Sequence, residues 1–223
     1  MSPIRSFAFA SLSTALVLAI IAGTAARAAD EEGEKVMLFN GKDLSNWDAV
    51  LADENVGKDD VWSVKDGVLH CKGRPNGYIR TKDEYENYEL HVEWRWPDKG
   101  GNNGVLVHTT TPGAIGIWPK SIEVQLASGN AGDFWVIGTE IAVENAEERR
   151  KGRRHLNLTD DSEKPVGEWN TMDITCKGDE IIVKVNGKLV NHATKASQTK
   201  GAVTLQSEGT PAEFRNIYLV PLK

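Results

Sequence analysis

The sequence predicts an all-β sandwich, and three features carry that expectation. Apolar residues recur at every second position through many short runs, the period of a half-buried strand. Turn-forming Gly, Asn, Asp and Pro interrupt those runs roughly every 8–12 residues. Helical periodicity is nearly absent. Only Glu144 to Arg154, with Glu147 and Glu148 ahead of Arg149, Arg150, Lys151, Arg153 and Arg154, reads as helix or irregular chain.

Taken in order, residues 1–28 are expected to be a signal peptide. Arg5 precedes an apolar run from Phe7 to Ala22, and Ala26-Arg27-Ala28 supplies a small-x-small cleavage pattern. The apolar run is short for a membrane span, so the mature chain is expected to be exported, periplasmic or extracellular, and without a span. Residues 29–223 then read as one domain with no internal repeat. Met37-Leu38-Phe39 leads into a turn at Asn40–Leu44 and then Trp47; Asp53 to Asp60 reads as a loop. Trp62-Ser63-Val64 and Val68-Leu69-His70-Cys71 flank Asp66-Gly67, a hairpin signal. Tyr78–Thr81 is a short strand. The long strand Tyr88–Trp96 puts Leu90, Val92, Trp94 and Trp96 on one face and His91, Glu93 and Arg95 on the other.

Pro97 to Gly104 breaks the chain before Val105–His108. In Ser121–Leu126, Ile122, Val124 and Leu126 fall on one side and Ser121, Glu123 and Gln125 on the other. Phe134–Val143 reads as one strand or two. Met172, Ile174 and Cys176 form one inward set, and Ile181, Val183 and Val185 another, separated from their neighbours by turns at Lys177-Gly178-Asp179 and Asn186-Gly187. Val203 and Leu205 mark a strand beside Gln206 and Glu208, and Phe214–Val220 closes the chain.

The formal charge of −6, more negative once Arg5 and Arg27 are removed with the signal peptide, disfavours nucleic acid or an anionic membrane as partner. The basic run near Arg150 accordingly reads as a solvated surface pairing with neighbouring acids. Cys71 and Cys176 both alternate inward, which fits either a disulfide or two buried thiols. No CxxC motif or paired histidines at ligand spacing occur, so neither metal nor cofactor is expected. Phosphate-loop and Gly-x-Ser-x-Gly signatures are also missing.

The polar faces of the long strands are selective, carrying carboxylate, amide, guanidinium and imidazole, with Trp118, Phe134 and Trp135 beside them. A sugar requires directed hydrogen-bonding groups for its hydroxyls and flat apolar rings for its C–H faces. Glu123 and Gln125, two residues apart, stand roughly 6.5–7 Å apart on one face. Two-carboxylate glycosidases use a comparable spacing, but Gln125 does not ionise. A second carboxyl must come from elsewhere: Glu93, Asp133, Glu140 or Glu208.

In Leu38-Phe39-Asn40-Gly41-Lys42-Asp43-Leu44-Ser45-Asn46-Trp47, Tyr88–Trp96, Asn102-Asn103-Gly104-Val105, Glu123-Val124-Gln125, Gly167-Glu168-Trp169-Asn170, Gly201–Gln206 and Phe214-Arg215-Asn216-Ile217, the chain resembles the 3-keto-disaccharide hydrolase domain family. The resemblance runs from about Val36 to Leu222. It implies a concanavalin A-like jelly roll of two curved antiparallel sheets, and action on glycosides oxidised at C3. A C3 ketone acidifies the C2–H, so a base can remove that proton while the C1 substituent departs. On this reading Glu123 is the catalytic base or acid, with Glu93 as its alternate. Gln125, Arg95 and His108 bind or polarise oxygens, with His108 in the catalytic set, and Trp118 and Trp135 stack on the sugar. Asn102, Asp133, Gln206 and Glu208 complete the substrate-binding set. The alternative reading is a non-catalytic carbohydrate-binding, lectin-like module on the same fold.

Overall fold

Strands that bury one face need a second layer to bury it against, and here every pairing is antiparallel. The structure is a computed structural model that describes residues 33–160 and 162–223. The expected signal peptide lies outside the described residues. The first sheet runs, edge to edge, through Ala142–Val143, Lys188–Thr194, Glu180–Val185, Asn170–Lys177, Tyr88–Arg95, Ala212–Pro221, Val68–Cys71 and Trp62–Lys65. Val36–Met37 also pairs with Ala212–Pro221. The second runs through Arg150–Lys151, Arg154–His155, Phe134–Ile137, Ser121–Gln125, Gly104–Thr109, Ala202–Ser207, Gly77–Thr81 and Trp47–Leu51. This is the expected two-sheet jelly roll. No helix among the described residues is long and apolar enough to cross a membrane.

The core lies between the layers. Val105, Val107, Ile122, Val124 and Leu205 from the second sheet meet Leu90, Val92, Trp94, Met172 and Ile174 from the first. Burying each such side chain stabilises the fold by about 1.5–3 kcal/mol. The expected hairpins form at Asp66-Gly67, with φ of 52° and 77°, and at Asn186-Gly187, with 51° and 79°. Positive φ at both central residues is what a two-residue turn needs to follow the twist of the strands.

Several details differ from the sequence reading. Phe134–Ile137 and Ala142–Val143 belong to different sheets, with the crossing at Gly138, whose φ is 65°. Glu144 to Arg154 is neither one helix nor loop: a single turn at Ala146–Arg149 gives way to a hairpin, Arg150–Lys151 against Arg154–His155, around Gly152. Trp47–Leu51, between the expected turn and loop, is a strand, and the expected Asp53–Asp60 loop runs into a short helix at Lys58–Val61. Cys71 and Cys176 are free and buried. Two strands separate theirs within one sheet, which puts the backbones roughly 14 Å apart, too far to bridge.

The largest difference concerns the two selective polar faces. Tyr88–Arg95 belongs to the first sheet and Ser121–Gln125 to the second. Both turn their apolar residues into the shared core, so their polar residues emerge on opposite surfaces of the sandwich. Glu93 and Arg95 therefore do not share a hollow with Glu123.

Candidate active site

Glu123 sits near the middle of the second sheet, on its outer face. Strand register sets its neighbours: Trp135 pairs with it on one side and Leu106 on the other, and Leu106 pairs in turn with Thr204, opposite Arg80. In the adjacent row Gln125 pairs with Gly104, and Gln206 with Tyr78. A Cβ on Gly104 would stand 2.6 Å from both Gln206 Oε1 and Glu123 Oε1, so only glycine lets the amide and the carboxyl converge there. A cavity of about 220 Å³ opens over this point, lined by Asn102, Trp118, Glu123, Gln125, Trp135, Ile137, Arg153 and Glu208. Of the expected residues, the fold thus brings Glu123, Gln125, Asn102, Trp118, Trp135 and Glu208 to one cavity, with Gln206 against Glu123.

Glu123 is 6% exposed. Burial, reinforced by the negative charge of Glu208, pushes its carboxyl up to about 8, against the opposing pull of a hydrogen bond from Gln206 and the charge of Arg153. At neutral pH it is mostly protonated. Burial also raises Glu208. The Gln125 side-chain oxygen, Oε1, accepts from the Leu126 and Ala127 backbone N–H groups at 3.1 and 3.2 Å. Its amide nitrogen is therefore the end left to donate. Around this point, Tyr78 Oη, Thr204 Oγ1, Gln206 Oε1 and Trp135 Nε1 are buried with no protein hydrogen-bond partner. Such groups are costly in a core and useful where a polar ligand docks. No group of three or more His, Cys, Asp or Glu among the described residues could hold a metal ion.

Four expected site residues are placed elsewhere. Glu93 accepts from Arg215 Nε at 2.6 Å and Asn216 Nδ2 at 2.7 Å, with His91 Nε2 at 3.8 Å. Burial raises its pKa, but these partners outweigh burial and leave it below the ordinary value. Arg95 pairs with Glu213, 2.5 Å away, and lies over the Trp169 ring at 4.7 Å. Strict alternation would put His108 on the face of Leu106, but its φ is 55° and the register with Ala202–Ser207 shifts beside it. This bulge turns the ring inward, edge-on to Tyr88 at 5.8 Å, with Nδ1 donating to the Gln198 carbonyl at 3.0 Å. Burial drives its pKa to about 4, so it is neutral and out of reach of the cavity. Asp133 is 1% exposed and ties the chain together, accepting from Arg154 Nε and the Asn157 N–H at 2.6 Å each.

Sequence reasoning missed Ile137, Gly104 as a spacer, and Arg153. The guanidinium of Arg153 lies 5.4 Å from the centre of the Trp135 ring and its Nη1 donates to the Val136 carbonyl. The Gly152 turn puts it there, and that glycine was the available signal: a basic run containing glycine folds back as a hairpin more readily than it continues as a helix.

A two-sheet antiparallel jelly roll whose outer face carries a protonated carboxyl in an aromatic-walled cavity defines the class of protein. The chain belongs to the 3-keto-alpha-glucoside-1,2-lyase-like domain family, whose pattern matches residues 34–220. Among solved structures, a candidate glycosyl hydrolase from Parabacteroides distasonis is 28% identical, covering 85% of this chain and 100% of its own, with a TM-score of 0.62. A second from that organism is 22% identical over 85% and 94% of the two chains, with a TM-score of 0.63. A β-glucanase from Bacillus licheniformis, at 13% identity over 84% and 97% and a TM-score of 0.53, shares the fold. No curated protein is similar enough to match the chain.

Proposed function

We propose that the protein is an exported enzyme that cleaves 3-keto-glycosides, disaccharides among them, by elimination across C1–C2 followed by addition of water. The observation that carries this reading is the protonated, buried Glu123 facing a second carboxyl, Glu208, in one small aromatic-walled cavity. Membership of a family described as 3-keto-alpha-glucoside-1,2-lyase-like supports it, as does the resemblance to the 28%-identical candidate glycosyl hydrolase.

The two carboxyls divide the work. Two like charges in one low-dielectric cavity do not both ionise readily, and the proton stays on the more buried Glu123. Glu208, as carboxylate, removes the proton at C2, which the neighbouring ketone has acidified. The electron pair forms the C1=C2 bond, the C1–O bond breaks, and Glu123 delivers its proton to the departing oxygen. The Gln125 amide donates to the oxygen of the developing enolate, charge stabilisation in a site already oriented for it. Trp118 and Trp135 supply the flat walls for the ring. Water then adds across the enone, restoring the 3-keto sugar and the protonation of both carboxyls.

The test pairs native and 3-oxidised disaccharides. The expected result is monosaccharide release from the oxidised member of each pair only, with a transient enone absorbance. Sugar binding without release from any oxidised glycoside overturns the enzymatic reading in favour of a carbohydrate-binding module.

A further inference from the structure

The Glu123 cavity is polar at one end and apolar at the other. Along Ser121–Gln125 the outward residues are Ser121, Glu123 and Gln125, each about 6.5–7 Å from the next. On the Gln125 side stand Asn102 and Glu208, the latter two residues beyond Gln206, which shares the Gln125 row. On the Ser121 side stand Trp118 and Ile137, the cross-strand partner of Ser121. The Ser121 hydroxyl is buried and donates to the Pro119 carbonyl at 3.0 Å, so its proton is already used. We infer that the apolar end is a subsite for an aromatic aglycone, and that the protein prefers glycosides whose departing group is an aromatic ring over those whose departing group is a second sugar.

The chain from Thr110 to Lys120 builds that end as a small hairpin. At its base the Thr110 N–H donates to the Lys120 carbonyl at 2.9 Å and the Lys120 N–H to the Thr111 carbonyl at 2.8 Å. At its tip Ile115 and Trp118 exchange both backbone hydrogen bonds, at 3.2 and 3.1 Å, around Gly116-Ile117. Gly116, with a φ of 59°, takes the first central position, where a two-residue turn of this kind needs a positive φ. Residues paired in this way project to the same side, with Cβ atoms about 5 Å apart. Trp118 faces the cavity, so Ile115 stands beside it and extends the same wall outward. A Cβ on Gly138 would stand 3.4 Å from the Ala114 Cβ, which sets the tip against the strand end that carries Ile137. Ile115 is 36% exposed, an apolar side chain left open at the rim.

The direction of the substrate follows from the two carboxyls. With Glu208 at the C2 proton and Glu123 at the departing oxygen, the C2–C1–O path runs from the polar end toward Trp118 and Ile137. The cavity, at about 220 Å³, is smaller than the ~300–1,000 Å³ of sites that enclose a drug-sized ligand. It holds the keto-sugar ring and leaves the departing group at the rim, against Trp118, Ile137 and Ile115. A second sugar there would set its hydroxyls against apolar side chains, where hydroxyls without partners are costly. An aromatic ring stacks on Trp118 and covers Ile115 instead. Arg153, the one cation in the lining, suits the same occupant, since its guanidinium already lies 5.4 Å from the centre of the Trp135 ring.

This assignment rests on the reading of the Glu123 cavity as the sugar site and on the roles given to its two carboxyls, but its test measures binding and needs no turnover. The probes are the α and β anomers of methyl and benzyl glucoside, with maltose and cellobiose as the disaccharide arms. Each is titrated against the full mature protein and against Ile115→Ser, a change at an exposed position. Methyl and benzyl glucoside share the sugar and differ only in the aromatic ring. The expected result is that one benzyl anomer binds about 10-fold tighter than its methyl counterpart, the gain of one partly buried ring, and tighter than the disaccharide of the same linkage. In Ile115→Ser that preference falls to about 3-fold or less. Equal affinity for benzyl and methyl probes, tighter binding of the disaccharide, or a benzyl preference untouched by Ile115→Ser overturns the subsite. A benzyl preference lost in Ile115→Ser, in a protein that releases nothing from 3-oxidised glycosides, upholds the subsite and sinks the elimination reading instead.

Discussion

The two outer faces of the sandwich carry nearly the same residue types in opposite states. On the first sheet, Glu93 is held by Arg215 and Asn216, Glu213 by Arg95 and His70, and Asp173 by His91. The guanidinium groups of Arg95 and Arg215 both lie over the Trp169 ring, 4.7 and 4.0 Å from its centre. Each of those acids has a partner. On the second sheet, burial and the charge of Glu208 raise Glu123 to about 8, and Gln206, Thr204, Tyr78 and Trp135 present buried polar atoms without protein partners. Residue type alone does not separate a binding face from a structural one; what separates them is whether the hydrogen-bonding capacity is already used.

Exchanging the two carboxylates tests this contrast with the largest expected effect. Glu123→Gln should cost about 10³-fold in kcat on a 3-oxidised disaccharide, with binding retained, since general acid–base groups contribute on that scale. Glu93→Gln should leave kcat within about 2-fold, because Glu93 lies on the far surface. The reverse pattern, measured in the same steady-state assay, would assign the chemistry to the wrong face here.

Gly104→Ala should come next. Its methyl group would stand 2.6 Å from Gln206 Oε1 and Glu123 Oε1, pushing apart groups that need to converge, and displacements of that size cost about 10²-fold in rate. Wild-type kinetics in that variant would show that the convergence is unused.

Stability should also tell the faces apart. Glu93→Ala removes the acceptor of Arg215 and Asn216, both of which reach solvent, and should cost no more than about 1 kcal/mol in urea unfolding. At Glu123 the folded pKa is raised from 4.5 to about 8. The unfolded chain therefore loses that proton first, and stability falls as pH rises between those values. Glu123→Gln should remove this slope and raise Tm at pH 8, with little change at pH 4. A Tm unchanged at pH 8 would mean that the carboxyl is not strained by burial.

The smallest effect belongs to His108, whose folded pKa of about 4 lies below its ordinary 6.5. The unfolded chain binds the proton first, so this residue contributes stability above pH 6.5 that is lost as pH falls toward 4. His108→Gln should flatten that acid flank while leaving kcat on the oxidised disaccharide within about 2-fold.

Local pattern made much of the fold legible. The Asp66-Gly67 and Asn186-Gly187 hairpins and the inward sets of Tyr88–Arg95 and Ser121–Gln125 follow from alternation and turn chemistry alone. The motif resemblance pointed to most of the Glu123 cavity. Which sheet a strand joins is decided by long-range pairing, and alternation assigns Glu93 and Glu123 to a face of their own strand without saying which way that face looks. His108 escaped because a bulge inverts the two-residue period locally, and its φ of 55° has no signature in an ordinary histidine. Arg153 escaped because a run of like charges looks the same whether it solvates a helix or tips a hairpin into a cleft.

Carboxyl-selective NMR titration of the mature protein, with and without a 3-oxidised disaccharide, addresses the contrast between the faces most directly. The account predicts a Glu123 midpoint near 8 that moves when the sugar binds, and a Glu93 midpoint below the ordinary glutamate range that does not. A Glu123 that titrates like a free glutamate, or a sugar response at Glu93 in place of Glu123, would contradict it.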